Sequence, residues 1–172
     1  MTSSNQHENV SRSSRVDRLS VGKLVLDSDW RTYTPTLTQG AFGTTTTNRW
    51  TYRVIGRTLS VKATVVQTGA GTVGVGAYQF SLPTGCVAAA TNRACGVANI
   101  SSGSTAYSGF CGTDPSFPNH ILITLVDPTA ASAILSTWGS TIADTTIRLS
   151  GTSVTLYLTC DIELAASSPI LQ

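Results

Sequence analysis

Arg49–Gln67 reads R-W-T-Y-R-V-I-G-R-T-L-S-V-K-A-T-V-V-Q, two β-rich runs joined by Gly56-Arg57, and this stretch decides the fold class. A glycine at the joint suits a two-residue hairpin turn that needs positive φ. In the second run Leu59, Val61, Ala63 and Val65 alternate with Ser60, Lys62 and Thr64. Period two means one face of the hairpin is buried and the other is not.

Working outward, the same alternation returns. Tyr78, Phe80 and Leu82 alternate with polar residues until Pro83 stops the strand, and Cys95, Val97 and Asn99 suggest another. His120–Val126 is a continuous apolar run between Pro118 and Pro128, an interior strand. The clearest is the last, with Val154, Leu156, Leu158, Cys160, Ile162 and Leu164 inward and Thr155, Tyr157, Thr159, Asp161 and Glu163 outward. Tyr33–Thr38 reads as a strand weakened by Pro35, 41–48 as a loop, Ala130–Leu135 as one helical turn and Thr145–Leu149 as a short strand. Roughly eight strands with closely spaced turn signals predict an all-β fold, an antiparallel β-sandwich. Jelly roll is the preferred topology and an immunoglobulin-like arrangement the alternative, since the Cys…Trp…Cys spacing of immunoglobulin domains is missing.

A chain of 172 residues, 41% of them hydrophobic, has material for one core. The division expected is an extended N-terminal arm over 1–29 and a sandwich domain over 30–172. Residues 1 to about 15 are polar without a period, and Val16–Leu26 shows short alternating pieces around Gly22, which disfavours a helix. No apolar run reaches the ~20 residues of a membrane helix. The first ten residues hold no apolar core of a secretory signal, so synthesis in a cytosol is expected.

Only 12% of the residues are charged, about half the ordinary share. Such a weakly charged polar exterior suits a protein covered by neighbouring subunits, with a secreted all-β domain as the alternative. The net charge of +2 is too small to argue for nucleic acid. Its placement says more: Arg12, Arg15, Arg18 and Lys23 lie in the arm, and no Lys or Arg falls between Arg93 and Arg148.

Signals for chemistry are weak. His7 and His120 have no adjacent nucleophile or acid in a motif, and Asp27 with Asp29 offers too few oxygens for calcium. Asp161 and Glu163 are explained by the solvated side of a strand. Thr68–Gly76 is glycine-rich but lacks the G-x-x-x-x-G-K-[ST] of a phosphate loop. Cys86, Cys95, Cys111 and Cys160 match no zinc or C-x-x-C pattern. They read as free buried thiols, with three disulfide connectivities open if they oxidise. No catalytic residue, metal or cofactor is expected. Sugar binding would need exposed aromatics, for which Trp30, Tyr33, Tyr107 and Trp138 are the candidates, whereas Trp50 and Tyr52 suit a core or interface.

Three motifs between Trp30 and Pro83 carry a resemblance. They are the aromatic Thr-Pro-Thr opening at Trp30 and Tyr33–Thr36, Tyr52-x-x-x-Gly56-Arg57-Thr58, and Phe80-Ser81-Leu82-Pro83. Together they resemble a small β-sandwich module of virion proteins from bacteriophages and other large DNA viruses, where Leu/Val stretches like Leu19–Leu26 lead in as a stalk, commonly in trimers. The resemblance implies a virion structural protein: a fibre, spike or minor capsid component made in the host cytoplasm and self-associating as a homotrimer. It would join other virion proteins through the arm residues Arg12, Arg15, Arg18, Leu24 and Leu26. The alternative it leaves is a carbohydrate or receptor-binding module that takes a host surface glycan.

Overall fold

A computed structural model describes residues 29–90, 94–127, 134–139 and 147–171. Among these the chain forms twelve strands: β1 (Arg31–Thr32), β2 (Leu37–Thr38), β3 (Gly40–Ala41), β4 (Thr45–Ile55), β5 (Thr58–Gln67), β6 (Thr72–Val73), β7 (Gln79–Ser81), β8 (Gly96–Ser102), β9 (Thr105–Asp114), β10 (Phe117–Asp127), β11 (Ile134–Thr137) and β12 (Val154–Glu163). One antiparallel sheet runs β1-β4-β5-β12-β8-β9-β10-β7-β2, with β11 beside β10, and β3 pairs with β6 apart from it.

This is the expected all-β antiparallel sandwich, realised as one sheet curled over its own core. Trp50 of β4 and Phe80 of β7 stand far apart in the strand order, yet their ring centroids lie 5.0 Å apart. Trp138 continues the stack, 6.0 Å from Phe80 and 5.1 Å from Tyr78. Period-two alternation supplies the rest: Leu59, Val61 and Val65 of β5 and Leu156, Cys160 and Ile162 of β12 are fully buried. A buried aliphatic side chain contributes about 1.5–3 kcal/mol over an exposed one, so the β5–β12 pair, in register from Val154↔Gln67 to Glu163↔Thr58, anchors the fold.

The hairpin forms as its sequence requires. Gly56 has φ 59°, the left-handed value that the first residue of such a turn demands. Arg57 then reaches across to the end of β12: its Nε and Nη2 donate to the Leu164 carbonyl at 3.2 and 2.9 Å, and the Leu164 amide donates to the Arg57 carbonyl at 2.7 Å. Arg57 also pairs with Glu163 at 3.3 Å. The Gly-Arg-Thr motif therefore fastens a turn to the last long strand.

Several expectations are corrected. Of the strand expected over Tyr33–Thr38 only Leu37–Thr38, β2, is strand; residues 33–36 lie between β1 and β2, where Pro35 has no N–H to offer a ladder. Residues 45–48 are not loop: their threonines extend β4 along β5, with a bulge between Thr45 and Thr47. Of the helical turn expected over Ala130–Leu135, residues 130–133 lie outside the described residues, while Ile134 and Leu135 are strand, paired with Asp127 and Val126. Ile147 and Leu149 are buried without a strand ladder. There the Trp138 indole donates to the Ile147 carbonyl at 2.9 Å, and the Leu149 amide donates to the Tyr78 hydroxyl at 3.3 Å. Strand β9 was not expected, since small residues interrupt its alternation of Tyr107, Cys111 and Thr113.

Candidate functional site: the outer face of the central strands

If one side of β5, β12 and β8 makes the core, the other side must present whatever this domain offers to a partner. Cross-strand pairing sets that surface out in rows. One row runs Arg49, Thr64, Tyr157, Asn99, Ser108. The next runs Thr51, Lys62, Thr159, Val97, Phe110. Half of these ten are short polar side chains, and among the others Val97 is 60% and Tyr157 52% exposed. Side chains on diagonal positions of neighbouring strands reach each other, so Val97 and Tyr157 make one apolar spot in the middle of a weakly charged face.

At the β4 margin of this face lies a shallow cleft of about 370 Å³ lined by Trp30, Arg49, Thr51, Lys62, Ala63 and Thr64. The Lys62 ammonium stands 4.6 Å and the Arg53 guanidinium 4.9 Å from the Trp30 ring. Each such contact is worth about 0.5–1 kcal/mol at an exposed site. The pair holds the indole against the sheet, with 38% of the residue still exposed. A flat ring flanked by cations suits an anionic or sugar-like ligand.

The four aromatics expected as glycan or interface platforms divide. Trp30 is on the surface as required. Tyr33 is half-buried, packed edge-on against Trp50 and Tyr52 at 6.1 and 5.5 Å. Burial, followed by the nearby Cys160 and Cys86, raises the Tyr33 pKa. Tyr107 and Trp138 are corrected to core residues, at 1% and 0% exposure, because both point inward. Tyr107 lies on the buried phase of β9, and the Trp138 indole needs the Ile147 carbonyl. Trp50 is core, its Nε1 donating to Asn48 Oδ1 at 3.0 Å.

Other candidates also find places. Asp161 accepts a 2.6 Å hydrogen bond from Ser60, and Glu163 pairs with Arg57, so the two outward carboxylates serve cross-strand contacts. His120 sits within β10 opposite Ser81, half-buried, its ring edge-on to Phe117 and its Nδ1 without a partner. All four cysteines are free thiols, and Cys86, Cys111 and Cys160 are buried as expected. Burial pushes the Cys86 thiol up to about 11. The arm residues Arg12, Arg15, Arg18, Leu24 and Leu26, like Asp27, lie outside the described residues.

Sequence reasoning placed Tyr157 and Lys62 outward without singling them out, did not consider Arg53, and read Val97 in phase with Cys95, whereas Ala98 and Ile100 are the buried residues of β8 and Val97 faces out. Their signal was available only in register, since Val97 and Tyr157 are 60 positions apart and meet through β8–β12 pairing. Comparison with protein-family models, with curated proteins and with solved structures gives no match to this chain.

Proposed function

We propose that this chain is a virion structural protein, a fibre, spike or minor capsid component whose sandwich domain associates with further copies of itself and whose N-terminal arm, residues 1–29, attaches it to the particle. The observation that carries the reading is the outer face of β5, β12 and β8. An exposed Val97 and Tyr157 sit there among threonines and asparagine, with Lys62 and Arg49 at the margin. An apolar spot in a polar surround is the composition of a subunit contact, and so weakly charged a face lets identical surfaces meet without strong repulsion. A homotrimer is the assembly in view. The motifs at Tyr52–Thr58 and Phe80–Pro83 add the resemblance to virion modules.

Antibody raised against the chain is expected to label purified virus particles. Deleting residues 1–26 should abolish incorporation while leaving a folded domain. Unchanged incorporation of the truncated chain would overturn the attachment role of the arm.

A second reading, recognition of a host surface glycan, is favoured by the Trp30 cleft with Arg49, Arg53 and Lys62 around it. A glycan array should then show acidic saccharides bound by the native chain and lost in Trp30→Ala. An array with no hits would reject it.

A further inference from the structure

Three of the four cysteines converge on one point of the core. Cys160 faces inward from β12, and Cys95, the residue before β8, places its Sγ 3.1 Å from the Cys160 Sγ. Cys111 of β9 stands close by, its thiol directed at the Thr159 carbonyl at 3.4 Å. Gly96 makes the convergence possible. It is the cross-strand partner of both Cys160 and Cys111, and a Cβ at that position would run into the β12 backbone and the Cys111 sulfur. Among the described residues no group of three or more His, Cys, Asp or Glu is arranged to hold a metal ion. The chemistry open to these sulfurs is their own.

The thiols differ in access and acidity. Cys111 and Cys160 are fully buried, whereas Cys95 is only half-buried at the mouth of the cluster. The hydrogen bond from Cys160 lowers the Cys95 pKa, outweighing its desolvation. Contact with the Cys111 and Cys95 sulfurs, together with burial, pushes Cys160 far up. A half-buried sulfur whose pKa is lowered thus sits 3.1 Å from one that is fully buried, the relation of an attacking thiol to a resolving thiol.

We propose that Cys95 and Cys160 form a reversible disulfide, an oxidation site joining the start of β8 to β12, with a small-molecule disulfide as the oxidant. The Cys95 thiolate attacks one sulfur of the oxidant, breaking its S–S bond and releasing one small thiolate, which takes up a proton. Cys160 then attacks the Cys95 sulfur of the mixed disulfide, and its proton passes to the departing small thiolate. The second small thiol leaves, and the protein S–S bond is formed. Two protein thiols are oxidised and one small disulfide is reduced to two thiols, so atoms and electrons balance. The backbone is already set for the link: the Asp161 amide donates to the Cys95 carbonyl at 2.8 Å, beside the Cys160↔Gly96 pair. The bond closes a loop of 65 positions, which restricts the unfolded chain more than the folded one.

The full-length chain, incubated folded with oxidised glutathione, quenched in acid and alkylated, is mapped by mass spectrometry without reduction. The expected result is one joined pair of peptides, containing Cys95 and Cys160, two hydrogens lighter than the separate peptides and split by dithiothreitol. Cys86 and Cys111 should be recovered alkylated, and the oxidised chain should melt at a higher temperature than the reduced one. Cys95→Ser should leave Cys160 unmodified under the same treatment; the wild-type map decides alone if that variant does not fold. A Cys111–Cys160 bond, a glutathione adduct remaining on Cys95 without a cross-link, or four unmodified thiols would each overturn the proposal.

Discussion

On β12 the inward side chains Val154, Leu156, Leu158, Cys160 and Ile162 are at most 3% exposed, whereas Tyr157, between two of them, is 52% exposed. The two faces share one backbone and one ladder of hydrogen bonds, with β5 on one side and β8 on the other. Apolar side chains on the inner face hold the sheet curled over Trp50, Phe80 and Trp138. An apolar side chain on the outer face stabilises nothing inside the domain, so its placement has to be understood through what covers it. Substitutions should separate the faces: inner changes move stability, and outer changes move association at constant stability.

The largest effect is expected from Leu156→Ala, which empties a fully buried site. It should cost about 2–5 kcal/mol in urea unfolding, and a loss under ~1 kcal/mol would mean that β12 is not the centre of the core. Trp138→Phe keeps most of the ring but strands the Ile147 carbonyl, at about 1–3 kcal/mol. Arg57→Ala removes two hydrogen bonds to Leu164 and the contact with Glu163. A loss of roughly 1–2 kcal/mol is expected, and Arg57→Lys should recover only part of it because an ammonium cannot supply the forked donors.

The inner face also responds to pH. Burial raises the Cys86 pKa to about 11, above its ordinary value. The folded chain therefore holds that proton more tightly than the unfolded chain does. Stability from the neutral thiol is whole below pH ~9, its ordinary range, and is lost as pH rises through about 11. Denaturant midpoints measured across that window should fall, and the fall should be shallower in Cys86→Ala. The smallest effect on stability belongs to the outer face, where Tyr157→Ser should change unfolding by no more than ~0.5 kcal/mol.

Much of the inner face was legible because burial on a strand imposes a period of two. Leu59–Val65 and Val154–Leu164 show that period without interruption, Gly56 marks the turn before the first, and Pro83 marks the stop of the Tyr78–Leu82 run. What escaped were features created by pairing. Gly109 interrupts the alternation of β9 because a Cβ there would strike the Thr124 carbonyl. Gln67 is buried at 1% yet reads as the polar end of a strand. Its amide donates to the Leu149 and Gly151 carbonyls at 2.8 and 2.6 Å and its oxygen accepts from the Gly43 amide at 3.1 Å, all partners distant in sequence. Tyr107 and Trp138 misled for the same reason, since an aromatic beside polar residues looks exposed until the pairing around it is known. The candidate face needed the β5–β12–β8 register, which no local pattern encodes.

Self-association through the outer face is read by static light scattering on the full-length chain and on Tyr157→Asp, with thermal unfolding measured in parallel. The native chain should elute at a multiple of its 18.0 kDa mass. The variant should elute as a monomer with an unchanged melting temperature. A native monomer, or an assembly that survives Tyr157→Asp intact, would contradict the assignment of the outer face to self-association.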